Sequence, residues 1–157
     1  MIVIVEGPDG AGKTSLITDL VRCNQNTNVI HFGAPETEAE AFEYWRKYAS
    51  TILSSPKDSL TIFDRSWFSD HVYAPILRNR EEMSSVMMKL LNALMVHHGG
   101  GYVIYCTAPT KTLWKRCKER GEKLVTSYDM LNRIKLSYDD MFSNVADVVV
   151  IKYDTSN

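Results

Sequence analysis

The octet Gly7-Pro8-Asp9-Gly10-Ala11-Gly12-Lys13-Thr14 constrains this chain more than any other feature. It matches G-x-x-x-x-G-K-[ST] in full. A short, β-branched apolar run over residues 1–5 precedes it. An amphipathic stretch over 13–24 follows, with Leu16, Ile17, Leu20 and Val21 on one face. Each part of the octet has a physical task. Small residues let backbone N–H groups converge on one anion, and the start of the next helix adds its partial positive charge. The lysine reaches outer phosphate oxygens, and the threonine hydroxyl is a ligand for Mg²⁺. Gly7, Asp9, Gly10, Ala11, Gly12, Lys13, Thr14 and Ser15 are therefore the expected nucleotide contacts.

A strand–loop–helix start of this kind implies a sheet buried on both faces. The rest of the chain agrees. Apolar runs at 28–32, 60–63, 102–106 and 145–151 read as strands. Helical patterns lie between them, at 37–53, 68–77, 80–97, 110–120 and 127–142. Thr37 and Glu40 have capping-box spacing, and Gly99, Gly100 and Gly101 stop the helix before them. The expectation is one three-layer α/β domain with five parallel strands and helices on both faces. Its ligand crevice belongs at the strand carboxyl ends.

Composition excludes several alternatives. Net charge is −1, so no overall basic field draws the chain to nucleic acid or an anionic membrane. The N-terminal apolar run is too short for a secretion signal, and nothing approaches the roughly 20 apolar residues of a membrane span. Cys23, Cys106 and Cys117 form no CxxC pair, which fits free thiols in a cytosolic protein. His31, His71, His97 and His98 lack metal-ligand spacing, so the one metal expected is the Mg²⁺ that accompanies ATP.

The third strand ends FDRSWFSDHVYAPILRNR. Asp64 falls at the strand end, beside the loop, where it can hold Mg²⁺ through a water. Arg65 can turn into the crevice toward the reacting phosphate. EGPDGAGKT followed by FDR resembles thymidylate kinase and its deoxynucleoside kinase relatives, and VYAPILR is similar to small phage-type members. The resemblance implies a P-loop kinase fold and an ATP-dependent phosphotransferase. It implies that Tyr73, eight residues after Arg65, disfavours a ribose 2′-hydroxyl. It also gives Asp70 a position facing the acceptor base. An ionised carboxylate only accepts hydrogen bonds, so Asp70 suits an amino-bearing base better than thymine. Phe42, Trp45 and Tyr48 form an aromatic stripe, and Trp45 and Phe68 are the expected acceptor contacts, with Asp9, Arg65, Asp70 and Tyr73.

The segment KTLWKRCKERGEK, over 111–123, follows the fourth strand, where this class of kinase carries a lid. Arg116 and Arg120 share one helical face. The resemblance makes both of them catalytic, alongside Lys13, Asp64 and Arg65, in a lid over about 115–127 with Gly121 as hinge. Arg133 and Lys135 are weaker candidates. The segment after the second strand, HFGAPE, lacks the family's arginine, and Glu36 is out of register for the glutamate base of deoxynucleoside kinases. Three readings follow. A deoxynucleoside monophosphate kinase comes first and a deoxynucleoside kinase second. A nucleotide-dependent switch comes third, lacking the N-K-x-D that a guanine-specific switch requires. Family resemblance further suggests a homodimer; the 80–97 helix, with Met83, Met87 and Met88, offers a stripe that fits either that interface or the core.

Overall fold

Five consecutive buried residues, Ile-Val-Ile-Val-Glu, make β1 (Ile2–Glu6) the centre of the sheet. A computed structural model describes residues 1–35 and 37–156, apart from the side chains of Glu38 and Phe42. After β1 come α1 (Lys13–Cys23), β2 (Thr27–His31), α2 (Glu38–Ser54), β3 (Leu60–Asp64), α3 (Trp67–Leu77) and α4 (Ser85–Gly99). Then follow β4 (Gly101–Thr107), α5 (Thr110–Arg120), α6 (Tyr128–Asn144) and β5 (Val149–Asp154). The strands form one parallel sheet in the order β2-β3-β1-β4-β5. This is the expected α/β architecture, with helices on both faces.

Two boundaries differ from the sequence expectation for local reasons. The helix expected from residue 80 starts at Ser85. Asn79 adopts a left-handed φ of 47°, the Arg78 and Arg80 N–H groups both bond the Ala74 carbonyl, and Ser84 caps the helix through Met87 N–H. The last strand lies further on than 145–151, because α6 continues to Asn144 and the Val145 N–H still bonds the Met141 carbonyl. β5 pairs Val149–Asp154 with Tyr102–Thr107, which delivers Thr155 to the phosphate loop.

Aromatic side chains join the layers. Tyr138 of α6 stacks on Tyr105 of β4 at 5.8 Å, and Tyr48 of α2 meets Trp67 of α3 edge-on at 5.6 Å. The buried Trp67 indole donates to Asn92 of α4 at 2.9 Å, so burying that ring leaves no orphan donor. Thr37 caps α2 by accepting from Glu40 N–H, as the capping-box spacing requires. Among the described residues, no helix is long and apolar enough to cross a membrane.

Candidate active site

The loop after β1 is shaped by contacts that exclude side chains. A Cβ on Gly7, at φ 141°, would stand 2.1 Å from the Cys106 carbonyl oxygen. One on Gly10, at φ 78°, would stand 2.7 Å from the Leu113 carbonyl oxygen. Strand β4 and helix α5 thus press directly on the loop, and only glycine permits it. Lys13 is buried, and its ammonium donates to the Gly7 and Pro8 carbonyls at 2.8 and 2.9 Å. Burial, with the nearby Arg65 cation, lowers its pKa to about 8. Gly12 caps α1 without a side-chain hydrogen bond, while Thr14 and Ser15 are exposed in its first turn. A cavity of about 140 Å³ opens here, lined by Lys13, Thr14, Asp64, Arg65 and Arg120, with Asp9, His31 and Glu122 beside them.

Arg65 follows β3 with a left-handed φ of 69°, a conformation that costs a non-glycine residue free energy. Its N–H bonds the Val5 carbonyl at 3.1 Å. Its guanidinium donates to Asp9 at 2.7 Å and Ser69 at 3.3 Å, and lies 5.0 Å above the Tyr73 ring. Tyr73 donates to the second Asp9 oxygen at 2.8 Å, so the carboxylate binds both partners. Below this trio, Glu6 is fully enclosed. It accepts from the hydroxyls of Ser66, Ser69 and Tyr138 and from Ser69 N–H, at 2.7 to 3.2 Å. A carboxyl group so buried is tolerable because each oxygen is hydrogen-bonded.

A second cavity, of about 120 Å³, shares Arg65 and His31 with the first and adds Ser69, Asp70, Tyr73 and Arg78. Its far wall is charged. Asp70 is 8% exposed and accepts from Arg78 at 3.1 Å, with Arg80 at 3.6 Å. Burial raises the Asp70 pKa, and the two arginines oppose that shift. Beyond Asp70 lies an open groove of about 820 Å³ bounded by Trp45, Arg80, Met83 and Met87. His31 and Asp64 are register partners on β2 and β3, and their side chains hydrogen-bond at 2.9 Å.

Most of the expected residues converge: Asp9, Lys13, Thr14, Asp64, Arg65 and Arg120 around one cavity, with Tyr73 and Asp70 around its neighbour. Two do not. Phe68 is fully buried between Trp67 and Phe142, so its ring belongs to the core rather than to a ligand. Arg116 points to the Gly10 carbonyl and to Thr155, so it braces the loop and does not line the cavity that Arg120 borders. Trp45 borders the outer groove, not the inner cavity, while Tyr48 lines that inner cavity. Phe42 and Glu36 lie outside the described side chains and residues. Sequence reasoning missed Glu6, His31, Ser69, Arg78, Arg80 and Thr155. A charged residue closing an apolar central strand was the available signal for Glu6. Thr155 had none.

Comparison with solved structures supports the same architecture. The YorR protein of Bacillus subtilis, solved in complex with phosphorylated GDP, superposes with a TM-score of 0.79 at 20% identity, covering 99% of this chain and 86% of that one. Deoxyadenosine kinase of M. mycoides with bound dATP gives 0.64 at 19%, covering 98% and 91%. Thymidylate kinase of Candida albicans gives 0.66 at 12%, covering 99% and 84%. At these identities the likeness is one of fold. No curated protein sequence matches the chain. The family model of polyphosphate kinase 2 matches residues 1–98, which hold the phosphate loop, Asp64-Arg65 and the Asp70 wall. With well over half of its length matched, the chain belongs to the polyphosphate kinase 2 family of P-loop kinases.

Proposed function

We propose that the protein moves the γ-phosphoryl group of ATP onto a deoxynucleoside monophosphate, forming the diphosphate. The observation that carries this reading is Arg65, which lines both cavities and stands between the Lys13 loop and the Asp70 wall. Donor and acceptor phosphates would meet there. Two anions brought together need cations at the junction, and Lys13, Arg65 and Arg120 supply them where charge develops in the transition state. Lys13 would exchange its two loop carbonyls for phosphate oxygens. Thr14 and Asp64 line the same cavity and are oxygen donors, which fits a hard cation. When bound, Mg²⁺ would neutralise charge on the donor phosphates. In the acceptor cavity, Tyr73 would face the sugar and Asp70 the base, and its carboxylate favours an exocyclic amine.

The test is ATP consumption against a panel of deoxynucleosides and their monophosphates. Inorganic polyphosphate, the compound in the family's name, serves as an alternative donor. Turnover of monophosphates, abolished in Lys13→Ala, is the expected result. Preference for dTMP over every amino-bearing base, unchanged in Asp70→Asn, would remove the base assignment. Phosphorylation of nucleosides but of no monophosphate would favour a second reading, that of a deoxynucleoside kinase. One observation supports that reading: His31 borders both cavities with its ring held by Asp64, as suits a group that takes a proton from a hydroxyl.

A further inference from the structure

The phosphate loop is braced by the end of the sheet, through contacts that its own motif does not contain. One Arg116 nitrogen donates to the Gly10 carbonyl at 3.2 Å and to the Thr155 hydroxyl at 3.0 Å. The other donates to the Thr155 carbonyl at 2.5 Å. The Thr155 hydroxyl proton is shared between the Ala11 and Thr107 carbonyls, each at 3.2 Å, and Thr155 N–H bonds Thr107 at 2.8 Å. A Cβ on Gly12 would touch the Thr155 side chain at 3.5 Å, so the two residues lie in contact.

The peptide unit turns these contacts into an orientation. It is planar and trans, so its N–H points opposite to its C=O. Holding the Ala11 carbonyl sets the direction of the Gly12 N–H. Holding the Gly10 carbonyl fixes the Ala11 peptide, whose N–H returns to Pro8 at 3.3 Å. A nest of N–H groups binds an anion well only when its donors are aimed before the anion arrives. We propose that Arg116 and Thr155 are positioning residues of the donor site, acting as one unit that fixes the loop's backbone from behind and aims the Gly12 N–H. This rests on the reading of the loop as the ATP site.

ATP binding with Mg²⁺, acceptor absent, is measured by calorimetry on wild type, Thr155→Val, Thr155→Ser, Arg116→Lys and the Val/Lys double variant. Thermal melts verify folding. Thr155→Val keeps the shape and removes the hydroxyl, so the ATP Kd should rise about fivefold, as the loss of one hydrogen bond implies. Thr155→Ser should restore wild-type affinity, and the acceptor KM should stay unchanged. The double variant should be no worse than the weaker-binding single one. Losses that multiply, or wild-type affinity in Thr155→Val, would overturn the unit. So would a fall in kcat for Arg116→Lys with unchanged ATP affinity, the behaviour of an arginine that touches the transferring phosphate. Failure of wild type itself to bind ATP would remove the donor site, and the brace with it.

Discussion

Tyr73 carries two duties that one substitution can separate. Its hydroxyl donates to Asp9 at 2.8 Å, and its ring lies beneath Arg65 on the wall of the cavity proposed to take the acceptor. Tyr73→Phe removes the first duty and keeps the second. Asp9 is only 9% exposed, so the freed carboxylate oxygen gains little from water. A hydrogen bond to a charged group contributes roughly 1.5–3 kcal/mol. Arg65 still holds the other oxygen, so about 2 kcal/mol is expected, or about 4–8 °C in Tm for a domain of this size. The proposed deoxyribose selection should survive, because the ring that would meet a 2′-hydroxyl remains. Tyr73→Leu should instead weaken it by opening the wall of a cavity of only about 120 Å³. The assays are thermal unfolding and the ratio of kcat/KM for deoxy and ribo acceptors. Wild-type stability in Tyr73→Phe would mean that Asp9 gains nothing from the hydroxyl. Collapse of sugar selection in that variant would assign the filter to the hydroxyl and refute the steric argument.

Lys13 should make the stability of the empty protein depend on pH. Its folded pKa of about 8 lies below the ordinary 10.5, so between those values the unfolded chain binds the extra proton and stability rises with pH. Cys106 and Cys117 oppose this above pH 9, because burial raises both thiols to about 11. Denaturant midpoints at pH 7.5 and 9 should therefore diverge between wild type and Lys13→Met; parallel profiles would contradict the lowered pKa. Glu6→Ala should cost at least about 3 kcal/mol, since it strands hydroxyl and N–H donors from Ser66, Ser69 and Tyr138. Glu6→Gln should cost less, because hydroxyls can reverse to accept from its amide. Equal losses in the two unfolding titrations would show that the carboxylate only fills space.

The fold was legible because its evidence is local and repeated. The loop octet, the β-branched run before it and the apolar runs that follow each demand a buried parallel strand or a covering helix. The phosphate loop was legible for the same reason: residues 7–15 are contiguous, and their spacing sets the shape of the loop. Asp64 and Arg65 close a strand that must neighbour β1, so their placement followed from topology. What escaped depends on pairings remote in sequence. Arg116 and Arg120 have the same spacing relation to any helix face. Only the arrival of Thr155 from 39 residues away separates the brace from the cation at the cavity. Phe68 and Tyr48 are equally aromatic, and core packing decides which ring lines the cavity.

The sheet order also explains how a chain of net charge −1 can be read as binding polyanions without a basic surface. β3, β1 and β4 are neighbours, so the segments following them meet at one edge: Arg65 after β3, Lys13 after β1 and Arg120 at the end of the helix after β4. The cavity they line holds carboxylates too, in Asp9, Asp64 and Glu122. Two of these are already engaged, Asp9 by Arg65 and Tyr73 and Asp64 by His31. The cluster is therefore close to neutral, and beyond the roughly 8 Å Debye length at physiological salt it exerts little pull on a nucleotide. Selectivity must then arise at contact, from aimed N–H groups and short cation–phosphate distances. That demand is met by glycines that let β4 and α5 press on the loop and by side chains that hold its carbonyls.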